Sequence, residues 1–251
     1  MLEVAPDLLA LLVVAGFAAG FVDSIAGGGG LIALPVMLLA GANPVQALGT
    51  NKLQGAFGAA TAAWSYARAG HVDLWGQRWA ALLAFFASMA GAALITTLPT
   101  DGVRQFLPWL LIAIAAFFAL RPGLDDLDRH ARLTPAVFTL TAVPAIAFYD
   151  GLLGPGAGSF YMIAFVALAG QGVLKATAHT KLLNLSSNLG ALALFAVVGE
   201  IWWITGLAMA AAQIAGARTG SRLAMRKGAR LIKPLLIAVS LILALRLMLG
   251  S

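Results

Sequence analysis

The sequence predicts an all-α membrane protein: a polytopic helix bundle of two inverted repeats, with about eight full spans plus two short broken or re-entrant helices. Three observations carry this. Hydrophobic residues make up 61% of the 251-residue chain and charged residues only 10%, whereas a soluble domain carries about 25% charged residues. Asp23 is the only charge between Asp7 and Lys52, and further uncharged runs cover 79–100, 105–120, 133–149, 151–174, 182–199, 201–217 and 234–245. One pattern of Asp, glycines and Lys occurs twice in the same order.

A spanning helix needs about 20 mostly apolar residues, and these runs with their flanks supply many. Segments such as Leu110–Leu120 are continuously apolar and do not alternate, so they read as lipid-embedded helices and not as barrel strands. Mean hydropathy of +0.92 excludes an ordinary cytosolic enzyme and a disordered chain. It also excludes a nucleic-acid-binding domain, although the pI is near 10.2. The absence of cysteine excludes disulfides, thiol chemistry, Cys-ligated metal and lipoprotein anchors.

The elements follow in order. The acidic N-terminus, Met1 to Asp7, lacks the basic start of a removable leader, so the first apolar segment is expected to be a retained helix over about 6–26. It runs into Gly27, Gly28, Gly29 and Gly30. A short helix over about 31–41 follows, too short to cross alone, and then spans at about 45–67, 75–97 and 103–121. The second half repeats the plan with a helix over about 134–152, a break at Gly154-Pro155-Gly156-Ala157-Gly158 and a short helix over about 158–170. Spans at about 174–197, 201–223 and 231–249 complete it.

The repeat is legible residue by residue. Phe21-Val-Asp23-Ser-Ile-Ala-Gly-Gly-Gly-Gly30 resembles Phe148-Tyr-Asp150-Gly-Leu-Leu-Gly-Pro-Gly-Ala157, an offset of 127 (150 − 23). Ala47 to Leu53 matches Ala176 to Leu182, with Lys52 on Lys181, an offset of 129 (181 − 52). The chain therefore divides into a first transmembrane repeat, 1–124, and a second, 125–251, joined by the polar stretch Arg121–Arg132. Arg222, Arg226, Lys227, Arg230 and Lys233 cluster without an acid between them, which places that loop in the cytoplasm. The loop at Gly199-Glu200 is the counterpart of the basic-flanked Gly70-His71 and falls on the opposite side. The halves are thus expected to be inverted, with both termini outside.

Inverted repeats with broken helices mark secondary transporters, whose sites lie near the midplane where backbone N–H groups are freed. Glycine permits positive φ and close approach, Pro155 enforces the interruption, and a helix N-terminus attracts anions. Tight helix packing through small residues is the plainer reading of the glycines. Lys52 and Lys181 stand inside apolar helices, where an ammonium costs about 2.5–3.5 kcal/mol. They either share an anion between the halves or pair with an intramembrane Asp. Asp23 and Asp150 can orient a lysine, carry a coupling proton or cap the broken helix. Asn51, Gln54, Thr180, Asn184, Ser187 and Asn188 add polar groups to the lysine-bearing helices, and His179 is a further coupling candidate. Walker, zincin and nucleophile-elbow patterns are absent, so no enzyme activity, cofactor or metal site is expected. The tryptophans fall mostly near span ends, as an interfacial belt does.

The paired motifs "FVDSIAGGGGLIALP…ALGTNKLQ" and "FYDGLLGPGAGSFYMIAFVALAG…KATAHTKLLNLSSNLGAL" resemble those of the sulfite exporter TauE/SafE family of membrane transporters, over almost the whole chain. The resemblance implies a multi-pass permease of the bacterial inner membrane, associated with export of sulfite, sulfoacetate or other organosulfur anions. The motif residues it carries over are Asp23, Gly27, Gly28, Gly29, Gly30, Asn51 and Lys52, then Asp150, Gly154, Pro155, Gly156, Gly158, Lys181 and Asn188. The expected partners are a small anionic substrate, the lipid bilayer and a coupling proton or ion, and alternating access is the expected mode. An Asp-centred, proton- or cation-coupled permease and a non-transporting membrane scaffold are the alternatives.

Overall fold

A computed structural model describes residues 3–98, 127–128, 130–198, 201–228 and 230–231. The helices expected at 103–121 and 231–249 lie outside these residues, except for Leu231. Glu200 and most of the Arg121–Arg132 linker also lie outside them.

Each described helix starts where local chemistry permits it. Helix α1 (Pro6–Ala26) opens with Pro6 at its first position and Asp7 in its first turn, both favoured at an N-terminus. Helix α2 (Gly29–Leu39) follows directly. Helix α3 (Pro44–Arg68) starts with a capping box: Gln46 N–H donates to Asn43 Oδ1 at 2.8 Å, and Asn43 N–H to Gln46 Oε1 at 3.4 Å. Helix α4 spans Arg78–Thr97. The single helix expected over 134–152 is instead two, α5 (Pro135–Leu140) and α6 (Ala142–Leu152). Pro144 lacks the N–H that would bond the Leu140 carbonyl, and the chain bends at Thr141, three residues earlier. Helices α7 (Ala157–Ala167), α8 (Val173–Val198) and α9 (Trp203–Lys227) complete the order. Among the described residues no strand forms.

Among the described residues four segments are long and apolar enough to cross a membrane: α1, α4, α5 with α6, and α8. Helices α3 and α9 match them in length at 25 residues each but carry more polar groups, many of them buried. Thr50, Asn51, Lys52, Gln54, Thr205 and Gln213 all face the interior. Helices α2 and α7 have 11 residues each, about 16 Å of rise against a hydrocarbon core of about 30 Å. Neither crosses alone. Leu11, Val14, Phe86, Leu94, Leu140 and Val197 are exposed, as suits an exterior solvated by lipid. Trp64, Trp75 and Trp79 are exposed as well, but Trp202 is only 9% exposed and packs inside instead of joining a belt.

Packing exchanges the two halves of the chain. Helix α1 lies on α9 and α4 on α6; α3 packs on α9 and α4 on α8; α3 and α8 meet at the centre. One close backbone approach occurs twice with the segments exchanged. A Cβ at Gly220 would stand 2.4 Å from the Phe21 carbonyl, and one at Gly91 would stand 2.0 Å from the Phe148 carbonyl. Phe148 is the repeat partner of Phe21 and Gly220 that of Gly91. Only glycine lets these backbones touch.

Candidate functional site

The two helix breaks sit against each other at the centre of this packing. Helix α1 ends where Gly27 takes a left-handed φ of 71°. The second break turns through Gly154 (φ 88°) and Gly156 (φ 78°), with the Tyr149 hydroxyl donating to the Pro155 carbonyl at 2.6 Å. A Cβ at Gly27 would lie 2.4 Å from the Gly158 carbonyl carbon. Ser159 Oγ, in the first turn of α7, donates to the Ala26 carbonyl at 2.8 Å and also reaches that of Gly27. The N-terminal ends of α2 and α7 therefore meet.

Each lysine reaches across to the other repeat. Lys52, on α3, donates to Asp150 Oδ1 at 2.5 Å and to the Asp150 carbonyl. Lys181, on α8, donates to the Asp23 carbonyl and stands 3.7 Å from Asp23 Oδ2. Both lysine side chains are 1% exposed. The two carbonyls belong to the last turns of broken helices, where the dipole favours a cation. The carboxylates differ. Asp150 Oδ2 accepts from Ser187 Oγ, so that side chain is enclosed by donors. Asp23 Oδ1 turns to the free N–H groups of Gly28 (3.2 Å) and Gly29 (3.3 Å) and caps α2. That turn lengthens its ion pair with Lys181.

Between these groups lies a cavity of about 30 Å³, the share of roughly one liquid water. Asp23, Gly28, Gly29, Gly30, Asn51, Asp150, Gly154, Gly156, Gly158, Asn184 and Asn188 line it, as do Gly55 and Gln213. Lys52 and Lys181 are not among the lining residues; they stand behind the carboxylates that hold them. Gly27 is taken up in contact with Gly158. Thr180 bonds its own helix at the Ala176 carbonyl (2.8 Å). His179 bonds the Gln77 side chain and packs edge-on to Phe165 at 5.5 Å. It lines a separate cleft of about 830 Å³ near the α3–α4 turn and α5, so the structure does not bring it to the cavity.

Two lining residues escaped the sequence reading. Gln213 is the lone amide in the uncharged run 201–217, and that isolation was the available sign. Gly55 leaves room for Asn188, whose Nδ2 would lie 3.3 Å from a Cβ there. The acceptors Asn184 Oδ1, Gln213 Oε1 and Gln54 Oε1 are buried without a hydrogen-bond partner. Gln54 itself donates to Asn51 Oδ1 at 3.1 Å. Buried polar atoms are ordinarily satisfied, so these amides suit a small polar occupant, water included.

Comparison with known proteins agrees with this arrangement of apolar helices around a polar centre. The profile of the family described as "Sulfite exporter TauE/SafE" matches residues 12–247. The chain is 57% identical to the "Probable membrane transporter protein ORF9" of Sinorhizobium sp, over 99% of this chain and 95% of that one. It is 45% identical to the "Probable membrane transporter protein YfcA" of Escherichia coli strain K12, over 99% and 92%. A "Probable membrane transporter protein" of Haemophilus influenzae is 40% identical, over 98% and 96%. No solved structure matches the chain significantly. With the match extending over nearly its whole length, the chain belongs to the sulfite exporter TauE/SafE family of membrane transporters.

Proposed function

We propose that the protein is a secondary transporter of the bacterial inner membrane that carries a small oxyanion, such as sulfite or an organosulfonate, by alternating access between two inverted repeats. The observation that carries this is the crossed pairing of Lys52 with Asp150 and Lys181 with Asp23 at two touching helix breaks. An arriving anion replaces a carboxylate on its lysine and takes up the N–H groups of α2 that Asp23 now caps. The cavity offers only about 30 Å³ at this site, so an oxyanion of several atoms requires its walls to separate.

Helix directions support inversion. Bonds from Gln77 to His179 and from Ser88 to Ser187 run α4 parallel to α8. The turn after α3 sends α4 back, so α8, the counterpart of α3, runs opposite to it. A second reading also has an observation in its favour: the carboxylates line the cavity while the lysines do not. In that reading Asp23 and Asp150 bind the coupling proton or cation, and the lysines are counter-charges.

Flux into proteoliposomes separates the two readings. Sulfite, sulfate, thiosulfate, sulfoacetate and taurine would be tested against wild type, Lys52→Gln and Asp23→Asn. The oxyanion reading expects Lys52→Gln to lose substrate binding and Asp23→Asn to keep it. Loss of binding in Asp23→Asn with retention in Lys52→Gln supports the Asp-centred reading. A folded, reconstituted protein that moves none of the five anions refutes this substrate class.

A further inference from the structure

Helices α3 and α9 run side by side in the same direction. Thr50 Oγ1 accepts from Trp202 N–H at 3.0 Å, and a Cβ at Gly58 would touch Gln213 at 2.7 Å. Past Gln213 the two helices leave a groove of about 650 Å³ on the outer surface. Its walls are helical stripes: Trp64 and Arg68 on α3, and Ile214, Arg218, Arg222 and Met225 on α9.

The chemistry of this groove is two-sided. All three arginines are exposed, and among the described residues no carboxylate pairs with any of them. Arg218 lies nine residues before the end of α9, about 13 Å along the axis, so its charge stands well inside the helix. Guanidinium groups stay charged and bind phosphate with a planar fork. Thr61 and Ser65 also line it but turn their hydroxyls to carbonyls of their own helix, those of Phe57 and Thr61; Ala60, Ala69, Ile214, Met225 and Trp64, itself 64% exposed, leave the rest of the wall apolar. A soluble anion satisfies the arginines but leaves that wall bare. A molecule with a phosphate head and long apolar chains satisfies both.

We infer that this groove binds an anionic phospholipid, with the phosphate held by Arg68, Arg218 and Arg222 and an acyl chain laid along Trp64 and Ile214. The site is separate from the central cavity, since none of its residues lines that cavity. Basic pockets between helices at a membrane surface are suited to such headgroups.

Native mass spectrometry of the full chain in a neutral detergent tests this, with phosphatidylglycerol and cardiolipin as probes beside phosphatidylcholine. The Arg218→Gln/Arg222→Gln protein is expected to lose about tenfold or more in anionic-lipid affinity, as removal of charge-assisted bonds implies. The Arg226→Gln/Lys227→Gln protein loses the same charge outside the groove and is expected to stay within about twofold of wild type. Arg68→Gln alone gives a second, milder variant on the other wall. Equal losses in the two double variants would reduce the effect to general surface charge and overturn the site. Equal retention of phosphatidylcholine would overturn the headgroup assignment. Displacement of bound lipid by millimolar inorganic phosphate would make the groove a soluble-oxyanion site and overturn the lipid assignment.

Discussion

Replacing Lys52 with Gln should cost far more stability than replacing Lys181. The two lysines occupy equivalent places in the repeat, so sequence alone makes them equal. Their partners are not equal. Without Lys52, the Asp150 carboxylate, on a residue only 4% exposed, keeps Ser187 as its side-chain donor. Removing one partner of a buried pair costs about 3–5 kcal/mol, roughly 10 °C in midpoint for a chain of this length. Without Lys181, Asp23 keeps two backbone N–H donors and is 17% exposed. Its ion pair is longer, 3.7 Å against 2.5 Å, which weakens the Coulomb attraction by about a third. The expected loss is about half as large, near 2 kcal/mol. Thermal unfolding in mild detergent, followed by fluorescence of the six tryptophans, measures both. The double change Lys52→Gln/Asp150→Asn removes the stranded charge and should recover most of the loss. Equal losses for the two single lysine changes, or a double variant no more stable than Lys52→Gln, would refute this account.

Gly28→Ala should keep the fold and lose flux: φ is −174° and the nearest atom to an added Cβ is Leu31 Cδ1 at 3.6 Å, yet the residue lines the cavity. Unaltered flux in a well-folded Gly28→Ala protein would count against the cavity as the site. Glu3 should act as a pH-dependent cap on α9, since its carboxylate accepts from Ile204 N–H (3.0 Å) and Thr205 N–H (2.8 Å). Partial burial pushes its pKa up, but the Thr205 and Ile204 donors outweigh this and hold it below the usual glutamate value. The cap is therefore fully present above the ordinary value of 4.5 and lost as pH falls through the depressed one. Glu3→Gln should cost about 1 kcal/mol near pH 7, with the two proteins converging once the pH has fallen through the depressed value; a gap that persists in acid would rule this out. A single Lys227→Cys on the cysteine-free chain should react with an impermeant maleimide only from the cytoplasmic face, and outside labelling would reverse the topology. On the transport reading, counter-exchange should outrun net flux by about tenfold or more, and equal rates would show that the empty protein reorients freely.

The helices were legible because their evidence is local: uncharged runs, Asn43 and Pro44 at a start, glycines at a break. The exchange of partners was not. Equivalent positions in two repeats identify Asp23 with Asp150 and Lys52 with Lys181, but not which lysine meets which aspartate. That depends on how α3 and α8 cross, a tertiary property with no periodicity to reveal it. The sequence reading left each lysine either on an anion shared between the halves or paired with an intramembrane Asp, because an unpaired ammonium there is costly. The carboxylates and the carbonyls of Asp23 and Asp150 remove that cost first, and the amides of Asn184 and Gln213 take the lining positions instead. His179 was grouped with the site by its nearness to Lys181 in sequence. Two residues along a helix is a rotation of about 200°, which turns it toward the opposite side.

Crossed pairing also bears on how two halves could move without leaking. Had each lysine paired within its own repeat, the repeats could separate with both ion pairs intact. Here Lys52 of one half holds Asp150 of the other, and Lys181 holds Asp23, so any rocking that draws the halves apart at this depth strains both pairs together. The unpaired state carries a penalty of several kcal/mol for each stranded charge, which makes an empty rearrangement rare. On the transport reading, an oxyanion lowers that penalty by giving the ammonium a replacement partner, and a proton lowers it by neutralising the carboxylate. Either event releases the same latch from opposite sides. The pair in which the carboxylate already divides itself between a lysine and the α2 N–H groups, Asp23 with Lys181, is the weaker of the two and is where release should begin.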